Sequence, residues 1–485
     1  MAEAAGPLGR RFLQLARDDA GAPALRGADG AVIATRGELA RAALVVRDAA
    51  LRRAPRAPAA LWLPNGAPFV AAFAGLALAG RPIGLVDASA TREEAESCLA
   101  ATGSRMLLTT AERASGWPVA WHGEGIVLAL PDPGAEVPLP EAAAVLKLTS
   151  GSSGVPRAIA VSARQLAADT VQIFRTMTVG GADRTLAAIP LSHSYGIGSC
   201  LIPLLLAGTP LVFPASTLPA ALADALARAR VAHFPAVPAM VRALATLGGL
   251  PGFPDLRVVL SAGAPLAPAD AAAFHAATGR KVHVFYGSSE CGGITYDRSD
   301  APVHGEGAVG TAMARVAVEV VDAGDRPLPA GSEGRVLVHS RAAALAILPA
   351  PDDARTLLPG RFLTGDLGRL DDAGRLTLTG RVAAELNVAG KKVHPDEVRR
   401  VVLDLPGVRS AVVLGIPDPH RGEIVAVLVE AEPGSRVDVR AVLETCRARL
   451  APHKVPRRVV VVDQLPLSER GKLRRDEALR LLRGV

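Results

Sequence analysis

Short apolar runs alternate with helical segments along the first 290 residues. The runs at 59–63, 83–86 and 105–108 have the length and composition of buried strands, and helices are expected at 67–79 and near 93–102. Strands that alternate with helices at this spacing pair in parallel, because each helix carries the chain back to the same edge of the sheet. Runs of the same kind follow at 186–189, 211–213, 231–234, 256–260 and 282–285. The chain is therefore predicted to fold as α/β, with a parallel sheet covered by helices on both faces.

The overall composition excludes several classes of protein. The 485 residues are enough for two or three domains, and 49% apolar with 21% charged residues is typical of a globular chain. Aromatic residues make up only 3%, which leaves few surfaces for stacking bases and argues against nucleic-acid binding. The histidines show no spacing typical of metal ligands.

Two long stretches are interpreted from their prolines and glycines. The uncharged span 192–223 includes Pro203, Pro210, Pro214 and Gly208, so it predicts helix, turn and buried strand rather than a membrane crossing. Residues 112–140 are rich in Gly and Pro and are expected to form an irregular connection. The N-terminus shows no basic segment followed by an apolar one, as a signal peptide would have.

The cysteines indicate reduced thiols. They are far apart and form no Cys-x-x-Cys pair, which predicts a cytoplasmic protein; their positions are Cys98, Cys200, Cys291 and Cys446. Cys291 lies beside polar residues, but no histidine is near it in sequence, so a structural role is favoured over a nucleophilic one.

The most distinctive stretch is 148–158, Leu-Thr-Ser-Gly-Ser-Ser-Gly-Val-Pro-Arg-Ala. An apolar run at 142–146 precedes it, and a polar stretch with an amphipathic helix at 163–175 follows. Its glycines let backbone N–H groups turn inward, its hydroxyls add donors, and its arginine adds a fixed charge. The stretch therefore suits a polyphosphate, and the candidate contacts are Thr149, Ser150, Gly151, Ser152, Ser153, Gly154 and Arg157.

Other phosphate-binding patterns do not describe this loop. It lacks the Gly-Lys-Ser/Thr of a Walker A motif and the Gly-x-Gly-x-x-Gly of a dinucleotide fold. A Ser/Gly surface linker is the alternative. A linker, however, has no need of a strong strand directly before it or of Pro-Arg directly after it.

Polar and small residues follow several of the predicted strands. His193 and Tyr195 come after the strand at 186–189, where open α/β sheets place their ligands. A structural role for His193 is equally compatible with the sequence. The turn that follows 256–260 contains Gly263, Ala264 and Pro265 and permits close approach of a flat ring.

The strand at 282–285 delivers an aromatic ring, hydroxyls and a carboxylate into one corner. Tyr286 is suited to stack on a base, Ser289 to donate to a phosphate and Glu290 to hold Mg²⁺.

Charge is concentrated in the last part of the chain. Residues 381–485 hold 20 Lys and Arg against 14 Asp and Glu, and so carry +6 of the net charge of +7. A solvated surface and a phosphate-bearing partner both fit this excess. Only six of the 54 basic residues are lysines, so a retained lysine indicates that the compact, mobile ammonium is wanted there; they are Lys147, Lys281, Lys391, Lys392, Lys454 and Lys472.

Together these motifs resemble the adenylate-forming superfamily of acyl- and aryl-CoA ligases, nonribosomal adenylation domains and luciferases. The resemblance covers about residues 30–480. The loop 149–157 resembles the superfamily's phosphate-binding signature. Five further motifs follow in the superfamily's order, at 286–290, 364–366, 380–381, 390–397 and 466–472. The resemblance implies a large N-terminal domain, 1–380, of layered, mostly parallel sheets with flanking helices, and a small mobile α+β domain, 381–485.

The resemblance also implies a two-step reaction with ATP, Mg²⁺ and CoA. A carboxylate attacks the α-phosphate to give an acyl-adenylate and pyrophosphate; the small domain then rotates, and a thiol attacks the mixed anhydride. Asp366 and Arg381 would bind the ribose, Glu290 and Thr149 the metal, and Lys472 the substrate carboxylate and α-phosphate.

The resemblance carries further roles onto single positions. Gly287 joins the nucleotide site beside Tyr286. Gly390, with Lys391 and Lys392, would lie on the side of the thiol and CoA, and Ala383 would be the hinge. The acyl pocket would be lined by His193, Tyr195, Gly196, Phe234, Ala262, Gly263, Gly287 and Gly292, and His193 is also a candidate catalytic residue. No aspartate is present to pair with an α-amine, so an uncharged acyl or aryl tail is predicted.

Some positions depart from the superfamily pattern. Arg157 replaces lysine, Ala158 replaces glycine, Ser153 and Ser289 replace threonine, and Ala383 replaces the usual Asp or Lys. Three hypotheses follow. The first is an acyl- or aryl-CoA ligase, and the second is an acyl-AMP ligase that loads the phosphopantetheine of a carrier protein. The third is a catalytically weak nucleotide-binding protein.

Overall fold

The computed structural model describes residues 6–52, 57–132, 134–150, 156–351, 353–382, 386–388, 391–393, 395–418, 422–450, 452–467 and 473–484. Helices occur along both parts of this chain: α1 (Pro7–Asp18), α2 (Arg36–Leu51), α3 (Ala67–Leu78), α4 (Arg92–Thr102), α5 (Ala163–Met177), α6 (Ser194–Gly196), α7 (Ile202–Ala207), α8 (Pro219–Arg228), α9 (Pro238–Ala245), α10 (Pro268–Thr278), α11 (Pro395–Leu403), α12 (Val439–Arg449) and α13 (Arg475–Arg483). A π-helical turn, Ile197–Leu201, joins α6 to α7.

The strands form three sheets. In chain order they are β1 (Pro23–Arg26), β2 (Val32–Thr35), β3 (Ala59–Trp62), β4 (Ile83–Leu85), β5 (Met106–Thr109), β6 (Val119–Gly123), β7 (Ile126–Ala129), β8 (Ala143–Ser150), β9 (Pro156–Ser162), β10 (Thr185–Leu186), β11 (Leu211–Val212), β12 (His233–Ala236), β13 (Val258–Ser261), β14 (Val282–Ser288), β15 (Gly292–Tyr296), β16 (Ala308–Ala312), β17 (Val316–Val321), β18 (Gly334–Ser340), β19 (Ala346–Leu348), β20 (Leu357–Leu358), β21 (Arg361–Leu370), β22 (Arg375–Arg381), β23 (Leu386–Val388), β24 (Lys391–Val393), β25 (Val408–Asp418), β26 (Gly422–Ala431) and β27 (Arg458–Val462).

Parallel pairing occupies the centre of the two large sheets. In the first sheet β1, β11, β10, β12, β13 and β14 are parallel neighbours, and in the second β5, β3, β4 and β8 are. Strands β3, β4, β5, β10, β11, β12 and β13 are buried along their length, as expected for strands covered on both faces, while β1 and β14 are partly exposed. The α/β prediction is confirmed for this core, while antiparallel strands extend both sheets at their margins.

Helix α3 shows how the layers pack. Its residues from Phe69 to Leu78 are all buried, so no face of this part of the helix is left for solvent, and it packs against α1 and α2. The helices on the outside carry polar signals at their starts: Thr35, Thr91 and Ser162 each form a capping box with the Glu or Gln three residues on.

Two local expectations are wrong. Residues 112–140 contain the hairpin β6–β7 rather than only an irregular connection, because Ile126–Ala129 is fully buried and pairs with β5. The polar stretch expected between the phosphate loop and the helix is instead strand β9, which pairs antiparallel with β8. The helix predicted at 163–175 is confirmed as α5, Ala163–Met177.

The C-terminal part has its own sheet and core. Strands β23 to β27 form a five-stranded sheet, and Val398, Val427 and Cys446 belong to a buried cluster separate from the large one. This arrangement agrees with the predicted small α+β unit. The boundary at residue 381 stays a prediction, since β22 ends at Arg381 within the large sheet and residues 383–385 lie outside the described residues.

Candidate active site

The ribose motif and the adenine motif meet at Asp366. This carboxylate lies on β21 directly opposite Arg381 on β22, and Arg381 Nε is 2.8 Å from Asp366 Oδ1. On the other side, the hydroxyl of Tyr286 donates to Asp366 Oδ2 at 2.6 Å. Burial, together with the neighbouring Asp366 carboxylate, raises the pKa of Tyr286, so the phenol stays protonated as a donor. The structure thus brings three predicted nucleotide contacts into one group.

The tight turn between β14 and β15 carries Ser289 and Glu290. The Ser194 hydroxyl donates to the Ser289 hydroxyl at 2.7 Å, which ties the turn to the segment after His193. The Glu290 carbonyl accepts from the backbone of Ala344 at 2.7 Å. Both side chains are half-buried at the end of a parallel strand, where ligands of open sheets bind.

The root of the phosphate loop lies beside this turn. On β8 and β9, Thr149 is paired with Arg157, and both are half-buried. One step before the loop, Lys147 Nζ donates to the Ser289 carbonyl at 3.2 Å. The predicted contacts Gly151, Ser152, Ser153 and Gly154 lie outside the described residues, as does the side chain of Ser150. Strand β8, which leads into the loop, therefore contacts the turn that bears Glu290 through Lys147.

His193 has partners in the second sheet that the sequence did not reveal. Its Nε2 lies 2.5 Å from Oδ2 of Asp87, a residue that follows β4, while the other carboxylate oxygen of Asp87 accepts from Ser89. The segment before it is held by Asn65, which follows β3. The Asn65 side chain donates to the Ile189 carbonyl at 3.0 Å and accepts from the backbone of Leu191 at 2.8 Å. These contacts join residues more than a hundred positions apart, so no local signal could have indicated them.

The predicted acyl-pocket residues differ in how deeply they are buried. Tyr195 packs on Phe285 with ring centroids 5.8 Å apart, and Ala262 is buried. Phe234 has no exposed surface, so its place in a pocket stays a prediction. Gly263, in the left-handed region at φ +87°, would place a Cβ 4.0 Å from Val237 Cγ1, an ordinary contact distance.

The small residues named for the site fall into two kinds. Gly263, Ala264 and Pro265 are exposed at the end of β13. By contrast, a Cβ at Gly196 would lie 2.1 Å from the Pro190 carbonyl oxygen. Gly287 and Gly292 are packed as closely: a Cβ at Gly287 would meet the Gly292 carbonyl, and one at Gly292 would meet Asp169.

The residues present fit a magnesium ion that is held mainly by substrate. Among the described residues no group of three or more His, Cys, Asp or Glu could bind a metal alone. Mg²⁺ in nucleotide sites commonly takes one or two protein ligands and completes its shell with phosphates and water. Lys147 contacts the Ser289 carbonyl, so it joins the strand that carries Thr149 to the turn that carries Glu290. These two residues match that requirement.

Several predicted site residues lie wholly or partly outside the described residues. Lys472, Gly390 and Ala383 lie outside the described residues, and only the backbone of Lys391 and Lys392 is described, in β24. Cys291 is fully buried, and burial raises the pKa of its thiol to about 12, which agrees with a structural role. None of the described helices combines the length and apolar character that a bilayer crossing needs.

Fold and site together define an adenylate-forming enzyme. Comparison with known proteins leads to the same class: the AMP-binding enzyme family profile matches residues 22–347, and the profile of the AMP-binding enzyme C-terminal domain matches residues 397–472. The chain belongs to the AMP-binding enzyme family. The expected activity, ATP-dependent activation of an acid followed by thioester formation, is confirmed at the level of this family.

Individual relatives span most of the chain. Feruloyl-CoA synthase of Amycolatopsis sp is 29% identical over 401 residues, which are 80% of this chain and 81% of that protein. Triostin synthetase I of Streptomyces triostinicus is 33% identical over 352 residues, 70% of this chain and 66% of that one. The crystal structure of ATP-bound MatB from Rhodopseudomonas palustris shares the fold, with a TM-score of 0.79 at 23% identity over 97% of this chain and 98% of that one.

Proposed function

We propose that this protein activates a carboxylic acid with an uncharged acyl or aryl tail and transfers the acyl group to CoA. The observation that carries the proposal is the convergence of three motifs. Asp366 is held between Tyr286 and Arg381, and Tyr286 leads along one strand into the turn that bears Glu290. That turn contacts the root of the phosphate loop through Lys147. In a nucleotide bound along this line, the base would contact Tyr286, the ribose Asp366, and the phosphates the turn that bears Glu290.

The ribose end is served by Asp366. Each of its oxygens already accepts one hydrogen bond, yet a carboxylate oxygen can accept two. The 2′- and 3′-hydroxyls would fill the remaining positions, while Arg381 balances the charge. The ring of Tyr286 and the exposed turn at Gly263 would lie against the base.

Adenylation takes place at the other end. The loop backbone and Arg157 would hold the β- and γ-phosphates while an oxygen of the substrate carboxylate attacks the α-phosphorus in line. The bond to the β-phosphate breaks and pyrophosphate leaves. Lys472 would stabilise the charge that develops at the α-phosphate. Mg²⁺, held by Glu290 and Thr149, supplies further charge neutralisation when bound.

The second step needs the C-terminal unit. Once the adenylate has formed, Lys472 is no longer required at the carboxyl carbon, and rotation about a hinge at Ala383 would clear the approach for a thiol. The sulfur attacks the carbonyl carbon and AMP leaves. The net positive charge of residues 381–485 would attract the phosphates of CoA, with Gly390, Lys391 and Lys392 on the side of the pantetheine. We also propose a cytoplasmic location, which the widely spaced cysteines support.

The acid is proposed to have an uncharged tail because the predicted pocket offers no free cation to a second carboxylate. His193, its one ionisable member besides Tyr195, is already engaged with Asp87. A relative named for ferulate agrees with an aryl tail. Relatives named for oxalate and sulfoacetate mark the competing possibility of a charged one.

A substrate panel tests this proposal. Pyrophosphate release would be measured with ATP, Mg²⁺ and CoA against ferulate, benzoate, hexanoate and octanoate, and against oxalate, malonate and sulfoacetate. We expect release with at least one acid of the first group and at least about a hundredfold lower kcat/KM with the second. A clear preference for the charged acids would contradict the pocket assignment, and silence with every acid would contradict the activity.

The acceptor is tested separately. CoA, a 4′-phosphopantetheinyl carrier protein and a simple amine would compete for the adenylate of the best acid, with products identified by mass. We expect the CoA thioester to dominate. Preferential loading of the carrier protein would instead support an acyl-AMP ligase.

A further inference from the structure

Two buried side chains of opposite charge hold the turn that carries Glu290. Lys147 donates from β8 to the carbonyl of Ser289 at 3.2 Å, directly before the glutamate. From helix α5, Asp169 accepts from the backbone N–H of Gly293 at 2.9 Å, three residues after it. The turn is thus fixed on both sides of Glu290 by groups from two different elements.

Both charges are almost entirely removed from water. The exposed fraction is 4% for Lys147 and 6% for Asp169. Burial lowers the pKa of Lys147 and raises that of Asp169, while the attraction between the two, aided by Glu290 for the lysine and by the Gly293 amide for the aspartate, opposes both shifts. Buried charges are expensive, so a pair this deep calls for a role beyond stability.

The surrounding chain is built around the aspartate. A Cβ at Gly292 would lie 2.4 Å from Asp169 Oδ1, and one at Gly198 would lie 2.9 Å from Oδ2. Gly292 also has φ +70°, in the left-handed region that favours glycine. Two glycines from different segments therefore leave room for this carboxylate.

Lysine is the suitable cation at position 147. The chain uses arginine for nearly all its basic residues, yet it has lysine in this buried strand. A single ammonium can reach one carbonyl in a narrow space, whereas a planar guanidinium carries five donors that would all need partners.

We propose that Lys147 and Asp169 are positioning residues which set Ser289 and Glu290 relative to Thr149 for the adenylation step. This inference rests on the proposed function, since it assigns Glu290 to the metal and phosphate end of the site. Lys147 lies two residues before Thr149 on the same strand, so its contact fixes the distance between the two candidate metal ligands. Lys147 takes no part in the thiol step, because that step needs neither Glu290 nor Thr149.

The experiment compares Lys147→Met, Asp169→Asn and the double variant with the wild-type full-length enzyme. Asparagine keeps an oxygen for the Gly293 N–H, so Asp169→Asn is the variant expected to fold best. The matched control is Lys281→Met with Asp297→Asn. The two side chains of that pair are 2.9 Å apart and 13% and 9% exposed. The pair joins β14 and β15 at the ends that lie away from the Glu290 turn. Three readouts are needed: adenylation rate against Mg²⁺ concentration, thioester formation from a supplied acyl-adenylate, and calorimetric binding of ATP with and without Mg²⁺.

We expect Lys147→Met to raise the Mg²⁺ concentration for half-maximal adenylation by about tenfold or more, as loss of residues behind metal ligands does. Asp169→Asn should act in the same direction, and KM for the acid and the rate of thioester formation should stay within about twofold. The control variant should leave the Mg²⁺ dependence unchanged. Wild-type Mg²⁺ dependence in both Lys147→Met and the double variant would overturn the proposal, as would an equal loss in both half-reactions.

Failure of the proposed function is recognised separately. If the wild type forms no adenylate with any acid, the activity assignment is wrong. The positioning role is then decided by calorimetry. Loss of the Mg²⁺-dependent gain in ATP affinity in Lys147→Met supports it, and retention of that gain contradicts it.

Discussion

At the scale of single residues, the site depends on side chains whose own partners are fixed. Asp366 is held on both oxygens, and His193 is held by Asp87. Such partners restrict rotation before a substrate arrives, which lowers the entropy lost on binding. Their replacement should therefore change particular kinetic constants rather than abolish folding.

Asp87→Asn tests the partner of His193. An amide keeps the size of the carboxylate but removes its charge, so His193 loses a strong acceptor and its ring orientation loosens. We expect kcat/KM for the acid to fall by about tenfold, while KM for ATP stays within about twofold. Steady-state kinetics measure both constants. The control is Asp224→Asn, which removes an exposed partner of Arg228; an equal effect in the control would contradict a specific role for Asp87.

His233 makes stability depend on pH. Burial lowers its pKa to about 4, and its Nδ1 lies 3.2 Å from the Thr185 hydroxyl. In the unfolded chain its pKa is about 6.5. Between about pH 6.5 and pH 4 the unfolded state therefore binds a proton that the folded state does not bind. The contribution is fully present above pH 6.5 and is lost as pH falls. At pH 5 the loss amounts to about 2 kcal/mol.

The matching variant is His233→Asn, which does not titrate and can still accept from Thr185. Urea unfolding at pH 7 and pH 5 would give the change in free energy of unfolding for each protein. The wild type should lose about 2 kcal/mol more than the variant over this interval. Equal losses would show that the imidazole is not kept neutral by burial.

At the scale of elements, two hairpins do most to assemble the site. The turn between β14 and β15 presents Glu290, and the hairpin β8–β9 presents the phosphate loop. Each hairpin begins on a strand inside its own sheet, β14 in the first and β8 in the second, and Lys147 joins the two through the Ser289 carbonyl. Gly292 permits the close approach of the β14–β15 turn to the buried Asp169.

Gly292→Ala tests that approach. The substitution adds left-handed backbone strain and a clash with Asp169, and we expect a loss of about 3 kcal/mol in free energy of unfolding together with slower adenylation. Gly279→Ala is the control, because Gly279 has a similar φ of +66° but open space around its Cβ. It should lose about 1 kcal/mol and keep full activity. Thermal unfolding and pyrophosphate release would separate the two effects, and similar behaviour of the two variants would exclude the clash.

Much of this element-level organisation could be predicted from the sequence. The central strands β3, β4 and β5 lie where the apolar runs are, because fully buried strands are apolar without interruption. The hairpin β6–β7 escaped prediction because none of the β6 residues is buried, so β6 lacks the apolar run of a buried strand. Strand β9 escaped because it directly follows a loop rich in Gly, Ser and Pro. The contacts of Asn65, Asp87 and Lys147 could not be predicted at all, since they join sheets whose relative packing is not encoded in any short pattern.

At the scale of the whole molecule, the chain separates ATP chemistry from a smaller unit with its own core. The large sheet contains Asp366, Tyr286 and Arg381, and Asp366 contacts the other two. The lysine proposed to act on the α-phosphate, Lys472, comes from that smaller unit. Nucleotide binding and bond formation should therefore be separable by mutation.

Acid-dependent exchange of labelled pyrophosphate into ATP tests the central claim most directly, because it reports the first half-reaction without any acceptor. The proposed mechanism predicts exchange in the wild type with at least one acid of uncharged tail. It also predicts a loss of at least about a hundredfold in Lys472→Ala while calorimetric ATP affinity stays within about threefold. Exchange at the wild-type rate in Lys472→Ala, or no exchange with any acid by a folded protein that binds ATP, would contradict it.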